Sequence, residues 1–147
     1  MDGLQLRDTD VDPWEFHGRW PVRLYELDAN GHVNNAVYLN YVEQVALEHV
    51  EALGFGRDWS LEHGGGWLVR EHHATYHRPA VYGDFLQLTT RPLELTAVTG
   101  RRQTLIHREA DGELLMEATT LWVWVRSDGR AARIPAELRA IWRDQPG

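Results

Sequence analysis

Residues 28–43 read DANGHVNNAVYLNYVE, and this stretch decides how the rest of the chain is understood. An acidic side chain, a glycine turn and two asparagines stand directly ahead of an amphipathic helical run. The first turn of a helix has backbone N–H groups without partners and carries a partial positive charge, so it can hold a carbonyl oxygen that is becoming negative. Asp28 then stands where a nucleophile or base would stand. Within residues 36–53, Tyr38, Leu39, Val42, Val45, Ala46, Val50 and Leu53 recur at spacings of three and four, one apolar face at 3.6 residues per turn. Gly54 is placed to cap the helix end. Asn34 or Asn35 suits the N-cap through a side-chain oxygen, and one residue can both cap and serve the site.

Upstream, WPVRLYEL (residues 20–27) reads as a strand closed by the turn formers Asp28 to Gly31. Residues 1–13 are acidic and without period, which predicts a loose arm and a fold that begins near Trp14. Downstream of Gly64-Gly65-Gly66, strands are expected near residues 67–78, 84–97, 99–110 and 113–126, with turns at Asp111-Gly112 and Asp128-Gly129. Pro135 opens a short terminal helix. The order predicts one α+β domain over residues 1–147, with an antiparallel sheet of about five strands wrapped around one long central helix. The strands do not alternate cleanly, and both faces are partly apolar. A sheet that meets a second subunit reads this way, so a homo-oligomer is inferred, although seven tryptophans could equally fill a monomer core.

A chain of 147 residues buries enough surface to stand without staples. Cysteine is absent, which rules out disulfides and thiol nucleophiles and makes the cytoplasm the default compartment. The net charge of −7, with 22 acids against 15 bases, argues against a nucleic-acid surface. No leader or membrane-length apolar run is expected. Every base is arginine, so lysine Schiff-base chemistry is excluded and an anionic ligand would be met by guanidinium groups.

Three segments resemble the hotdog-fold thioesterases, in particular the branch containing 4-hydroxybenzoyl-CoA thioesterase and bacterial short-chain acyl-CoA thioesterases. They are VRLYELDANGHVNNAVYLNYVE (22–43), Tyr76-His77-Arg78-Pro79 with Gly83-Asp84, and Arg133-Ile134-Pro135 ahead of Leu138. The resemblance implies a helix wrapped by an antiparallel sheet, a dimer whose two sheets join with active sites at the subunit interface, and hydrolysis of acyl thioesters; homodimer and homotetramer both stay open. Asp28 matches the family's essential carboxylate. Asn35 matches the position whose backbone N–H faces the thioester oxygen, where relatives often carry tyrosine or histidine. Asp28, Asn30 and His32 also match the D-x-N-x-H-V-N-N run of plant-type acyl-carrier-protein thioesterases, which makes His32 a candidate. That family's later acidic residue and cysteine are replaced here by Pro79 and Ala80, so the CoA-type branch is favoured.

A thioester carbonyl is already activated, so the expected reaction needs an oxyanion donor and a carboxylate, with no metal and no cofactor. Catalysis is assigned to Asp28, Asn35 and His32. Tyr38, Asn30, Asn34, Glu43 and Arg78 are substrate-binding candidates, with Arg101-Arg102 as a further partner for CoA phosphates. Each has a plainer reading: Asp28 as a turn residue, Tyr38 as core, Glu43 as half of an ion pair. His49 reads as a hydrogen-bonded core histidine. Of the strand histidines only His73 and His77 share a face, about 13 Å apart, too far for one ion. Acyl-CoA is the expected substrate. The alternatives are an acyl-carrier-protein thioesterase and a non-catalytic module that binds acyl or aromatic ligands.

Overall fold

Tyr38, Tyr41, Val42, Val45, Ala46, His49 and Val50 are buried along one face of helix α1 (Asn35–Ala52), spaced three and four apart as the sequence requires. The computed structural model describes residues 10–143. Strands β1 (Phe16–Pro21), β2 (Gly65–Tyr76), β3 (Phe85–Leu95), β4 (Thr99–Arg108) and β5 (Leu114–Arg126) form one antiparallel sheet in the spatial order β1-β3-β4-β5-β2. Its inner face covers α1. A short helix, α2 (Arg57–Glu62), connects α1 to β2, and α3 (Ala136–Arg139) follows Pro135 near the end. No described helix is long and apolar enough to cross a membrane.

The end of α1 explains the direction of the chain beyond it. Leu53 is the C-cap; Gly54 then takes φ +90°, its N–H reaching the Glu51 carbonyl at 3.0 Å while the Phe55 N–H reaches Val50 at 2.8 Å. That is the glycine-terminated pairing that satisfies the last carbonyls of a helix.

One element differs from the sequence expectation. Instead of a strand over 20–27, the strand is Phe16–Pro21, an edge paired only to β3, and Leu24–Glu26 form a 3₁₀ turn. The cause is Glu26: its carboxylate accepts the Arg23 backbone N–H at 2.8 Å, which curls the chain inward where a strand would have carried it straight. The expected arm also differs where it is described. The Asp12 carbonyl accepts from His49 at 2.7 Å and the Pro13 carbonyl accepts from the Trp142 indole at 2.6 Å, so this end is docked. Residues 1–9 lie outside the described residues.

The interior is two apolar clusters. One surrounds Val42, Val45, Leu86, Leu88, Ile106 and Met116; the other gathers Val50, Phe55, Trp124, Ile134, Leu138 and Trp142 around the end of α1. Each fully buried aliphatic side chain contributes about 1.5–3 kcal/mol. A buried polar group comprises His49, Thr90, Arg102, Thr104 and Thr120. Phe16 stacks on the His49 ring at 5.1 Å. A carbonyl can only accept, so Nε2 of His49 carries the proton that goes to Asp12, and Nδ1 accepts from the Arg102 guanidinium at 3.1 Å.

Burial, reinforced by the Arg102 charge, pulls the His49 pKa down to about 4. The unfolded chain therefore binds a proton that the folded chain refuses, and stability falls as pH drops from about 6.5 toward about 4. Denaturant titrations should show the parent losing roughly 3 kcal/mol more over this range than His49→Gln; parallel losses would contradict a buried neutral imidazole.

Candidate active site

Residues 26–34 fold back on themselves just before α1. The Asn34 N–H bonds the Glu26 carbonyl at 2.9 Å, Leu27 bridges Val33, and the Asp28 N–H bonds the His32 carbonyl at 2.7 Å. Gly31 closes the tip with φ +79°, a conformation that a side chain would strain. Within this loop the Asp28 Oδ1 accepts the backbone N–H groups of Asn30 at 2.8 Å and His32 at 3.1 Å. Both halves of the D-x-N-x-H run are thus used, Asn30 and His32 as main-chain donors that aim the carboxylate. Among the described residues Oδ2 has no hydrogen-bond partner, and Asp28 is exposed in the single chain.

The loop is anchored from below by a residue that the sequence reading passed over. Glu26 is buried; its Oε1 takes the Arg23 N–H and the Tyr41 hydroxyl at 2.6 Å, and its Oε2 takes the Arg23 guanidinium at 3.2 Å. Desolvation and the hydrogen bond to this carboxylate both raise the Tyr41 pKa, keeping the phenol a donor. An acid inside an otherwise apolar run, three residues after an arginine, was the available signal. Tyr41 also lies on the same helix face as Tyr38 and Val45.

At the helix entrance the donors can be followed one by one. Asn34 is the N-cap, and its Oδ1 accepts from Ala36 N–H at 2.9 Å. Val37 N–H bonds the Asn34 carbonyl at 2.9 Å. Among the described residues nothing accepts the Asn35 N–H. The Tyr76 hydroxyl donates to the Asn35 carbonyl at 3.0 Å, fixing the peptide that follows from the sheet side. The entrance therefore offers an unused backbone donor seven residues after a carboxylate that its own loop fixes.

The family model of the thioesterase-like superfamily matches residues 22–141. The chain belongs to the thioesterase-like superfamily. Its fold is the hotdog fold of that superfamily's solved members. The long-chain acyl-CoA thioesterase FadM of Escherichia coli is 30% identical over 119 residues, 80% of this chain and 89% of that protein. The chloroplastic acyl-acyl carrier protein thioesterase ATL3 of Arabidopsis thaliana is 32% identical over 86% of this chain and 67% of its own. A thioesterase from Thermus thermophilus, solved with coenzyme A and zinc, is 31% identical with a TM-score of 0.74, covering 87% of this chain and 97% of that one.

The remaining candidates in this superfamily member are dispersed. Tyr38 is buried, and its hydroxyl accepts from Ala80 N–H at 2.9 Å, tying α1 to the 79–84 turn. Glu43 sits 3.3 Å from His72 Nε2, whose Nδ1 pairs with the Thr120 hydroxyl at 2.8 Å. Arg78 pairs with Glu113 at 2.8 Å on the surface, and Arg101 with Glu94 at 3.5 Å. Arg102 lies inside the protein. His77 bonds Glu117 at 2.8 Å, and among the described residues no three metal-ligating side chains are grouped. The alanine variant of Asn34 removes the cap on Ala36 N–H, so chemical denaturation should show a loss of about 1 kcal/mol; an unchanged midpoint would contradict the capping role.

Proposed function

We propose that the chain hydrolyses acyl-CoA thioesters to a carboxylic acid and free CoA at the entrance of α1. The observation that carries this is the open Asn35 N–H at the end of the loop that aims the Asp28 carboxylate. The thioester oxygen takes the Asn35 N–H, and as the carbonyl carbon becomes tetrahedral the helix dipole stabilises the negative charge that collects there. The Asp28 Oδ2 either attacks that carbon, forming an anhydride which water cleaves, or takes a proton from the attacking water. The thiolate of CoA is a good leaving group, so no metal or cofactor enters the proposed reaction.

Asp28 is exposed in the single chain, so the missing wall of the site is assigned to a second copy. β2 supports this: it is a 12-residue edge strand with one side unpaired in its own sheet, and it exposes Leu68 and Tyr76. An open edge of this length invites pairing. A homodimer formed along β2, or a tetramer of such dimers, would complete the site, and a cytoplasmic location suits a chain without cysteine.

A second reading is hydrolysis of acyl groups carried on acyl carrier protein, favoured by the Asp28-Asn30-His32 match and by the similarity to ATL3. Thiol release measured over acyl-CoA and acyl-carrier substrates separates the two. Asp28→Asn keeps the shape of the loop and should lower turnover by at least about 10²-fold on the preferred substrate. Turnover at the parental rate would contradict the assignment.

A further inference from the structure

Arg102 is 7% exposed, and its only side-chain partners among the described residues are neutral: Nη1 donates to His49 Nδ1 at 3.1 Å and to the Thr90 hydroxyl at 3.0 Å. No described carboxylate lies within ion-pair distance of it. A guanidinium withdrawn from water without an anion is costly, and the cost shows as a pKa pulled down to about 9 by burial. Even so, it remains protonated at neutral pH.

Arg102 is one of the residues lining a cavity of about 30 Å³ between the second half of α1 and the sheet. Trp67 and Trp122 line the same cavity, and among the described residues their buried indole N–H groups have no hydrogen-bond partner. Trp122 is itself only 6% exposed. Leu47, Val50 and Leu95 supply an apolar rim. The one carboxylate lining the cavity, Glu94, lies 3.5 Å from Arg101, so the Arg102 charge and the two unused indole donors are left as the groups complementary to an acceptor-only anion. One water-sized atom takes about 10–15 Å³, so this volume has room for about two oxygens. The apolar rim suits a hydrocarbon attached to them.

We propose that this cavity binds a small organic carboxylate, its oxygens on Arg102 and the Trp122 indole and its hydrocarbon end against Leu47, Val50 and Leu95. The site is separate from the helix entrance: Ala46, Leu47 and Val50 follow Asn35 by 11 to 15 residues, which is roughly 16–22 Å along the helix. It does not depend on what Asp28 does. Inorganic anions of similar charge lack the group that would occupy the rim, which sets carboxylates apart from chloride or phosphate.

Thermal unfolding and tryptophan fluorescence of the full chain, titrated with sodium acetate, butyrate and benzoate against sodium chloride at matched ionic strength, test this. The expected result is a saturable rise in Tm and a fluorescence change with butyrate or benzoate, weakened at least about tenfold in Arg102→Met and severalfold in Trp122→Phe. The proposal is overturned by three results: no saturable response to any carboxylate, an equal response to chloride, or undiminished binding in folded Arg102→Met. Should Arg102→Met fail to fold, Trp122→Phe, which keeps an aromatic ring and deletes the donor, decides alone: undiminished affinity overturns the proposal.

Discussion

Glu26 is the pin on which the helix entrance depends. One buried carboxylate stops β1 from running on, receives the Arg23 N–H, and is locked to α1 by the Tyr41 hydroxyl at 2.6 Å, while the carbonyl of the same residue takes the Asn34 N–H. A buried carboxylate without these donors would be strongly unfavourable, so each contact supports the others. Their common effect is to fix the loop from Leu27 to Val33 against the first turn of the helix. Asp28 and Asn35, seven residues apart in sequence, are thereby held at the two ends of one rigid loop.

The chemistry of the entrance follows from how its donors are allocated. A helix start always has spare N–H groups; here Asn34 uses its side chain for Ala36 and its carbonyl for Val37, which leaves the Asn35 donor open. The Asp28 carboxylate is treated the opposite way, with one oxygen tied to two main-chain donors and the other without a described partner. Fixing one oxygen orients the other without neutralising its charge. In the proposed reaction it is the open N–H, fixed before the substrate arrives, that would meet a developing oxyanion at little reorganisation cost.

Long-range order was legible wherever a period was strong. The 3.6-residue stripe of α1, the four strands after residue 64 and the asparagine pair at the helix start all follow from spacing and turn chemistry. What the sequence concealed were polar groups whose partners lie far along the chain. WPVRLYEL reads as a strand because its apolar residues are closely spaced, and only the burial of Glu26 against Tyr41, 15 residues on, turns it. Arg102 looked like a surface base for CoA phosphates, yet its neighbours in the sheet place it opposite His49, 53 residues away. Tyr38, equally plausible as pocket wall or core, is buried with its hydroxyl tied to a turn 42 residues downstream. Loop chemistry is local and readable, whereas burial is a property of the whole fold.

The most direct test of the account removes the single donor it relies on. Replacing Asn35 by its α-hydroxy analogue exchanges the backbone N–H for an ester oxygen and leaves the side chain in place. Turnover of the preferred acyl thioester should then fall by about 10²–10³-fold while the protein remains folded. Hydrolysis at the parental rate without that N–H would show that the helix entrance does not receive the thioester oxygen.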